Sequence, residues 1–239
     1  MFKQKKFYLI FKRSMDLLFA IIGLIIIFPI LLIIIIILKL SDEGEVFYFQ
    51  ERMGYKNKPF LIYKFASMLK NSASIGNKTV TVRNDPRITK FGKILRITKL
   101  NELPQIINVI KGEMSLVGPR PLLISSFKKY NFEVQNLIYA TKPGITGIGS
   151  LVFRDEELLV SKYKDSGKDP LEYYKLYIYP YKGALELWYF NNRSFIIDLK
   201  ILFLTFWSLL FKDSNLVFKY IRGIPKKPSF LYDKSNKNI

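Results

Sequence analysis

Arg120 lies between Pro119 and Pro121. The two rings restrict the backbone on both sides of it, so its guanidinium sits on a stiff, non-helical segment. The chain has neither cysteine nor histidine. A disulfide, a Cys/His zinc site, a thiol nucleophile and an imidazole base are therefore all excluded. Any chemistry must rest on carboxylates, cationic side chains, hydroxyls and a hard, oxygen-seeking cation such as Mg2+. Arg96 and Lys99 fall on a basic helix expected over residues 88–100, and a second helix follows at once. There Leu103, Ile106, Ile107 and Ile110 share one apolar face, Asn101 stands at the start, and Gly112 occupies the place of a C-terminal cap. The acidic run Asp155-Glu156-Glu157 reads as a solvated helix start.

Other elements follow from pattern and punctuation. Residues 46–65 alternate apolar with polar side chains around a turn signal at Gly54 and Asn57 to Pro59, which predicts a short hairpin. A polar Ser/Asn/Gly-rich loop is expected over 67–82 and a turn at Asn84-Asp85-Pro86. Lys142-Pro143-Gly144-Ile145-Thr146-Gly147 reads as a further turn. Residues 173–190 are crowded with Tyr and Trp. Ser194 caps a helix reaching about residue 211, whose uncharged part is too short to span a bilayer. That helix suits either a membrane interface with aromatic anchors or the domain core. The polar tail after Pro225 is expected to be disordered.

Residues 17–38 carry no charge, and Pro29 sits near the middle of this run. At about 1.5 Å per residue the run can cross a hydrocarbon core of roughly 30 Å, but the proline predicts a break or kink at 28–29. Lys/Arg-rich flanks on both sides favour a helix that dips into the membrane and returns, with a single span as the other arrangement. The formal charge of +19 fits anionic lipid head groups and phosphorylated ligands at least as well as nucleic acid.

Taken in order, the motifs around Lys12-Arg13-Ser14-Met15-Asp16, Phe60-Leu61-Ile62-Tyr63-Lys64-Phe65, Asp85-Pro86-Arg87-Ile88-Thr89, Asn101-Glu102-Leu103-Pro104-Gln105, Lys111-Gly112-Glu113-Met114-Ser115-Leu116-Val117-Gly118-Pro119-Arg120-Pro121 and 142–147 resemble the bacterial sugar transferases, the monotopic polyprenyl-phosphate phosphoglycosyl transferases. The likeness covers residues 7–212. It implies an α+β fold: a re-entrant membrane helix hairpin (1–40), a small, mainly helical cytoplasmic domain with short strands and interfacial amphipathic helices (41–212), and a basic tail (213–239). The implied reaction is transfer of a sugar 1-phosphate from a UDP-sugar to undecaprenyl phosphate with release of UMP. It would initiate surface-polysaccharide or glycoconjugate synthesis on the cytoplasmic face of the bacterial inner membrane. Membrane lipid and downstream glycosyltransferases are the implied partners, and nucleic acid is not.

The resemblance also assigns roles within the chain. Glu102 would be catalytic and hold Mg2+, while Arg96 and Arg120 would bind substrate phosphate. Asn101 stands where the family has a nucleophilic aspartate, and an amide carries no charge with which to attack phosphorus. Asn is also a good helix N-cap, which explains how the fold survives the change. Ala66 departs from the family as well, where Arg or Lys often follows the Tyr-Lys-Phe motif. Transfer with Glu102 or the lipid phosphate attacking, weak activity, and an inactive relative that binds UDP-sugar or organises an assembly are all compatible with the residues.

Overall fold

A computed structural model of the protein describes residues 6–41, 43–72, 85–167, 169–211 and 216–231. Much of the loop expected over 67–82, together with Asn84, lies outside them. The fold mixes helices with two small sheets.

Helix α1 (Lys6–Lys39) contains Pro29 as one continuous element. The expected break or kink therefore does not divide the run into two helices; one missing hydrogen bond leaves the ladder on either side intact. A single stripe packs on the body, with Ala20, Leu31, Ile34 and Leu38 buried and Leu24 and Ile27 between them. This is helical spacing for one covered face. Elsewhere on α1 the charge-free run leaves large apolar side chains exposed, including Ile22, Ile25, Ile26, Phe28 and Ile33. By length and composition it can cross a membrane.

The hairpin forms as the alternation predicts. Strands β1 (Phe47–Met53) and β2 (Pro59–Phe65) pair antiparallel from Phe47↔Phe65 to Met53↔Pro59. Helix α2 (Lys90–Ile97) is shorter than expected because Thr89 caps its start, accepting from the Gly92 amide at 2.9 Å, and Lys99 turns left-handed (φ 62°) beyond its end. Helix α3 (Gln105–Lys111) stops at Gly112, whose φ of 83° is the left-handed cap that glycine supplies most readily.

The segment 142–147 is not merely a turn. Strand β4 (Gly144–Thr146) lies in it and pairs parallel with β3 (Ser115–Val117). The helices α4 (Ile124–Phe127), α5 (Phe132–Leu137), α6 (Ile148–Val152), α7 (Glu156–Asp165) and α8 (Pro170–Tyr173) follow or flank it. A π-helical stretch, Tyr174–Ile178, then leads into α9 (Tyr179–Asn192).

Helix α10 (Phe195–Leu210) begins at Ser194, whose Oγ accepts from the Ile197 amide, so the predicted cap is present. Its inner face sends Ile201 and Leu204 into the core, while Ile196, Leu199, Phe203, Phe206 and Leu210 form an exposed apolar stripe at helical spacing. Buried Asp198 ties the helix down. It accepts from Tyr189 Oη (2.6 Å) and Tyr8 Oη (3.0 Å) and pairs with Lys12 Nζ (2.7 Å).

The main core extends past residue 212, since Val217 and Ile221, within and just after α11 (Leu216–Tyr220), join Val117, Ile148, Leu185 and Ile201 in it. The disorder expected after Pro225 does not hold for 225–231. Tyr181 donates to the Pro225 carbonyl, residues Ser229–Leu231 form a 3-10 turn, and Leu231 packs on the core. Residues 232–239 lie outside the described part.

Candidate functional site

Three segments distant in sequence meet around one carboxylate. Glu102 lies in a 3-10 turn, Leu100–Glu102, between α2 and α3. Its Oε1 accepts from Lys64 Nζ at 2.9 Å and from an Arg120 amino nitrogen at 2.5 Å, and the second Arg120 amino group reaches Oε2 at 3.3 Å. Arg52, on β1, stands beside them. It donates twice to Gln50 Oε1 and once to the Pro121 carbonyl, and its charge is felt by both Lys64 and Arg120.

Each of these positions has a local cause. Lys64 is held in register because Asn108 of α3 completes the free edge of β2. Its amide donates to the Leu61 carbonyl (2.8 Å) and accepts from the Tyr63 amide (3.1 Å), as a neighbouring strand would. Asn108 is fully buried, so this pairing satisfies both its amide and the β2 backbone groups it meets. Arg120 follows β3, where the Val-Gly-Pro-Arg-Pro and Lys-Pro-Gly-Ile-Thr-Gly segments lie backbone against backbone. The Gly118 amide donates to Thr146 O and the Gly144 amide to Pro119 O, both at 2.9 Å. A Cβ on Gly144 would lie 2.1 Å from the Gly118 nitrogen, so only glycine permits this approach. Buried Tyr139 finishes the clamp, donating to the Arg120 carbonyl and accepting from the Leu122 amide, each at 2.8 Å.

The electrostatics are lopsided. Arg52, Lys64 and Arg120 surround the carboxylate of Glu102, and Glu156, which Arg120 also feels, is itself paired with Lys182, so cations outnumber carboxylates in the cluster. Burial alone would raise the Glu102 pKa, but Arg120 and Lys64 outweigh it and hold the carboxyl well below its ordinary range. Burial lowers Lys64 to about 8, with Arg120 and Arg52 adding to the shift and Glu102 opposing it. Arg120 moves upward because Glu102 favours its charged form. Its side chain is 42% exposed, against 14% for Glu102, so Arg120 is the member that reaches solvent. This arrangement can receive a phosphate or diphosphate.

The other residues singled out in sequence are placed differently. Arg96 forms a separate ion pair with Glu157 of α7 at 2.5 Å, and its Nε is buried without a partner. Thus Glu157 is not only part of a solvated helix start. Its neighbour Glu156 is held by Lys182 at 2.5 Å. Asn101 does not cap the helix after it, because Pro104 precedes α3 and sets its first turn. Asn101 is 7% exposed, and its Oδ1 has no hydrogen-bond partner. Lys64 and Arg52 are the residues that sequence reasoning missed as members of the site. Lys64 had a signal, a lysine alternating into the hairpin face that also carries buried Ile62, whereas nothing local marked Arg52.

The chain is similar to known proteins over most of its length. The family model for bacterial sugar transferases matches residues 7–212. The uncharacterized sugar transferase EpsL of Bacillus subtilis is 37% identical over 205 residues, covering 86% of this chain and 90% of that one. The exopolysaccharide production protein ExoY of Sinorhizobium fredii is 31% identical over 208 residues, 81% of this chain and 83% of its own. A UDP-glucose:undecaprenyl-phosphate glucose-1-phosphate transferase of Klebsiella pneumoniae is 38% identical over 202 residues, which is 82% of this chain but 39% of that longer protein. With most of its length matched and the motif residues gathered about Glu102, the chain belongs to the bacterial sugar transferase family.

Proposed function

We propose that the protein transfers a sugar 1-phosphate from a UDP-sugar to undecaprenyl phosphate, releasing UMP, and so begins the assembly of a surface polysaccharide or glycoconjugate. The observation that carries this reading is the surplus of cations around Glu102: Lys64 and Arg120, both in motifs that resemble the family's, with Arg52 beside them. Relatives of this chain are named for undecaprenyl-phosphate transfer of glucose, galactose and N-acetylgalactosamine phosphates. Arg120 and Lys64 would bind the diphosphate and stabilise the charge that builds on it, as preorganised donors do in a water-poor site. Arg96 would contribute only after leaving Glu157.

The donor set also fits Mg2+. No group of three carboxylate, histidine or cysteine side chains occurs among the described residues, but Mg2+ ordinarily takes one or two carboxylates and completes its shell with substrate phosphates and water. Glu102 would hold it through the remaining lone pair of Oε2, which among the described residues accepts only one contact, from Arg120 at 3.3 Å, with the unpartnered Asn101 Oδ1 as a second oxygen. When bound, the ion would neutralise charge on the diphosphate. Because the cluster already carries excess positive charge, the ion would enter with its substrate.

A lipid phosphate and a soluble nucleotide sugar can meet only at head-group depth. Both ends of α1 are attached to the body: Arg13 donates to the Val109 and Ile110 carbonyls, and Leu38 packs with Phe65 and Leu95. A straight crossing would pull the flank of the polar body into hydrocarbon, where unpaired polar groups are costly. This supports α1 as a re-entrant element with Pro29 near its deepest point and the catalytic domain on the cytoplasmic face of the inner membrane. The exposed stripe of α10 would rest on the lipid surface.

The test is lipid-dependent UMP release by the purified full chain, supplied with undecaprenyl phosphate, Mg2+ and UDP-glucose, UDP-galactose or UDP-N-acetylgalactosamine. Release from at least one donor is expected. Arg120→Ala and Glu102→Gln should each lower it about a hundredfold or more, the usual loss for a transition-state donor. Near-native turnover in both variants would remove their roles, and chelation of Mg2+ that left turnover unchanged would remove the metal.

A further inference from the structure

We infer that this chain transfers the phosphosugar in a single displacement, in which the lipid phosphate attacks the UDP-sugar directly and no adduct forms on the protein. The inference rests on the function proposed above.

Among the described residues, the carboxylates near the cation cluster are already paired. Asn101 presents an amide, whose nitrogen lone pair is delocalised and carries no charge. Both oxygens of Glu102 are occupied, Oε1 by Lys64 and Arg120 together and Oε2 by Arg120. To attack phosphorus, Glu102 would have to leave two cations in a buried setting, and breaking such pairs leaves charges uncompensated. Glu156 is held by Lys182 and by the Tyr174 hydroxyl, and Glu157 by Arg96. The Tyr139 hydroxyl both donates and accepts. Cysteine and histidine are absent from the whole sequence. What the cluster offers in surplus is positive charge, which suits holding two phosphates at once.

The reaction needs no more than that. A phosphate monoester is close to a dianion at neutral pH. One of its oxygens forms a bond to the sugar-bearing phosphorus. The bond from that phosphorus to the bridging oxygen breaks, and UMP departs with the electron pair. Charge is the same on both sides, and no proton has to be removed from the nucleophile. A site whose described carboxylates are all paired is therefore sufficient, provided its cations draw the two anions together. Lys64, Arg52 and the solvent-reaching Arg120 provide that charge.

A one-step transfer requires both substrates on the protein together, and this separates it from a covalent route. The full chain would be incubated with radiolabelled UMP and each of the three UDP-sugars, without undecaprenyl phosphate. No label should enter the UDP-sugar above a protein-free blank. With lipid present, double-reciprocal plots at varied UDP-sugar and undecaprenyl phosphate should intersect. Asn101→Asp supplies a carboxylate of nearly the same size and should gain the exchange, with a phosphosugar adduct at position 101 by mass spectrometry. Exchange by the native chain, parallel plots, or a native adduct on Glu102 would overturn the single displacement while leaving the transferase reading intact. Failure of the native chain to release UMP from any donor with lipid present would overturn the transferase reading, and the inference with it.

Discussion

Lys64 shows how far one buried cation can shape the behaviour of the site. Burial pushes its pKa down to about 8 from the ordinary 10.5, so it carries its charge below pH 8 and loses it above. Free-enzyme substrate capture, read as kcat/KM, should therefore fall as pH rises through about 8. Stability should move the other way. Between pH 8 and 10.5 the unfolded chain binds the Lys64 proton and the folded chain does not, so this residue's contribution to stability rises with pH there. A pH profile of kcat/KM beside thermal melts checks both signs, and an alkaline limb that tracked unfolding would remove Lys64 from phosphate binding. Of the site residues, Arg120 and Glu102 were legible from the flanking prolines and the motif. Arg52 was not, because the groups that bring it into the site, the Pro121 carbonyl, Arg120 and Glu102, come from distant parts of the chain.

At the level of elements, the contact between the segments at 118 and 144 sets the position of Arg120. Gly144→Ala places a methyl group 2.1 Å from the Gly118 nitrogen, and overpacking of this kind usually costs about 1–3 kcal/mol. The expected result is a lower melting temperature together with lost turnover per folded molecule, since the strand that carries Arg120 must shift. Ser194→Ala is the contrast. It removes an N-cap worth about 1 kcal/mol at the start of α10 and should lower stability while sparing turnover. Normal turnover by folded Gly144→Ala would show that Arg120 is positioned by something other than the strand pair. The hairpin, α3 and α10 were readable because their periods and caps are local. The β3–β4 pair was not, since strands of three residues show no alternation and their pairing joins distant parts of the chain.

For the whole molecule, the question is on which side of the membrane the two ends of α1 lie. With both ends facing the cytoplasm, single cysteines introduced near Lys5 and near Lys58 should be labelled only after the inner membrane is made permeable. Labelling of the Lys5 site from outside in intact cells would replace the re-entrant arrangement with a full crossing, and Pro29→Leu would then be expected to change little. Asp198 joins α10 to Tyr8 and Lys12 of α1, so the exposed apolar stripe of α10 is tied to the helix that carries the exposed apolar residues of α1.

The sequence by itself determined the apolar helix, the hairpin, the capped helices, the limits set by the absence of cysteine and histidine, and the stiff mounting of Arg120. All of these are properties of neighbours along the chain, governed by period, capping and proline stereochemistry. Only the tertiary structure decided that Glu102 is shared between Lys64 and Arg120, that Arg52 adds a further positive charge, and that Arg96 pairs with Glu157 instead. It also decided that Asn101 is buried without capping a helix. Those outcomes depend on which residues burial brings together and on how strongly a charge is felt where water is scarce, and neither quantity is written in local sequence.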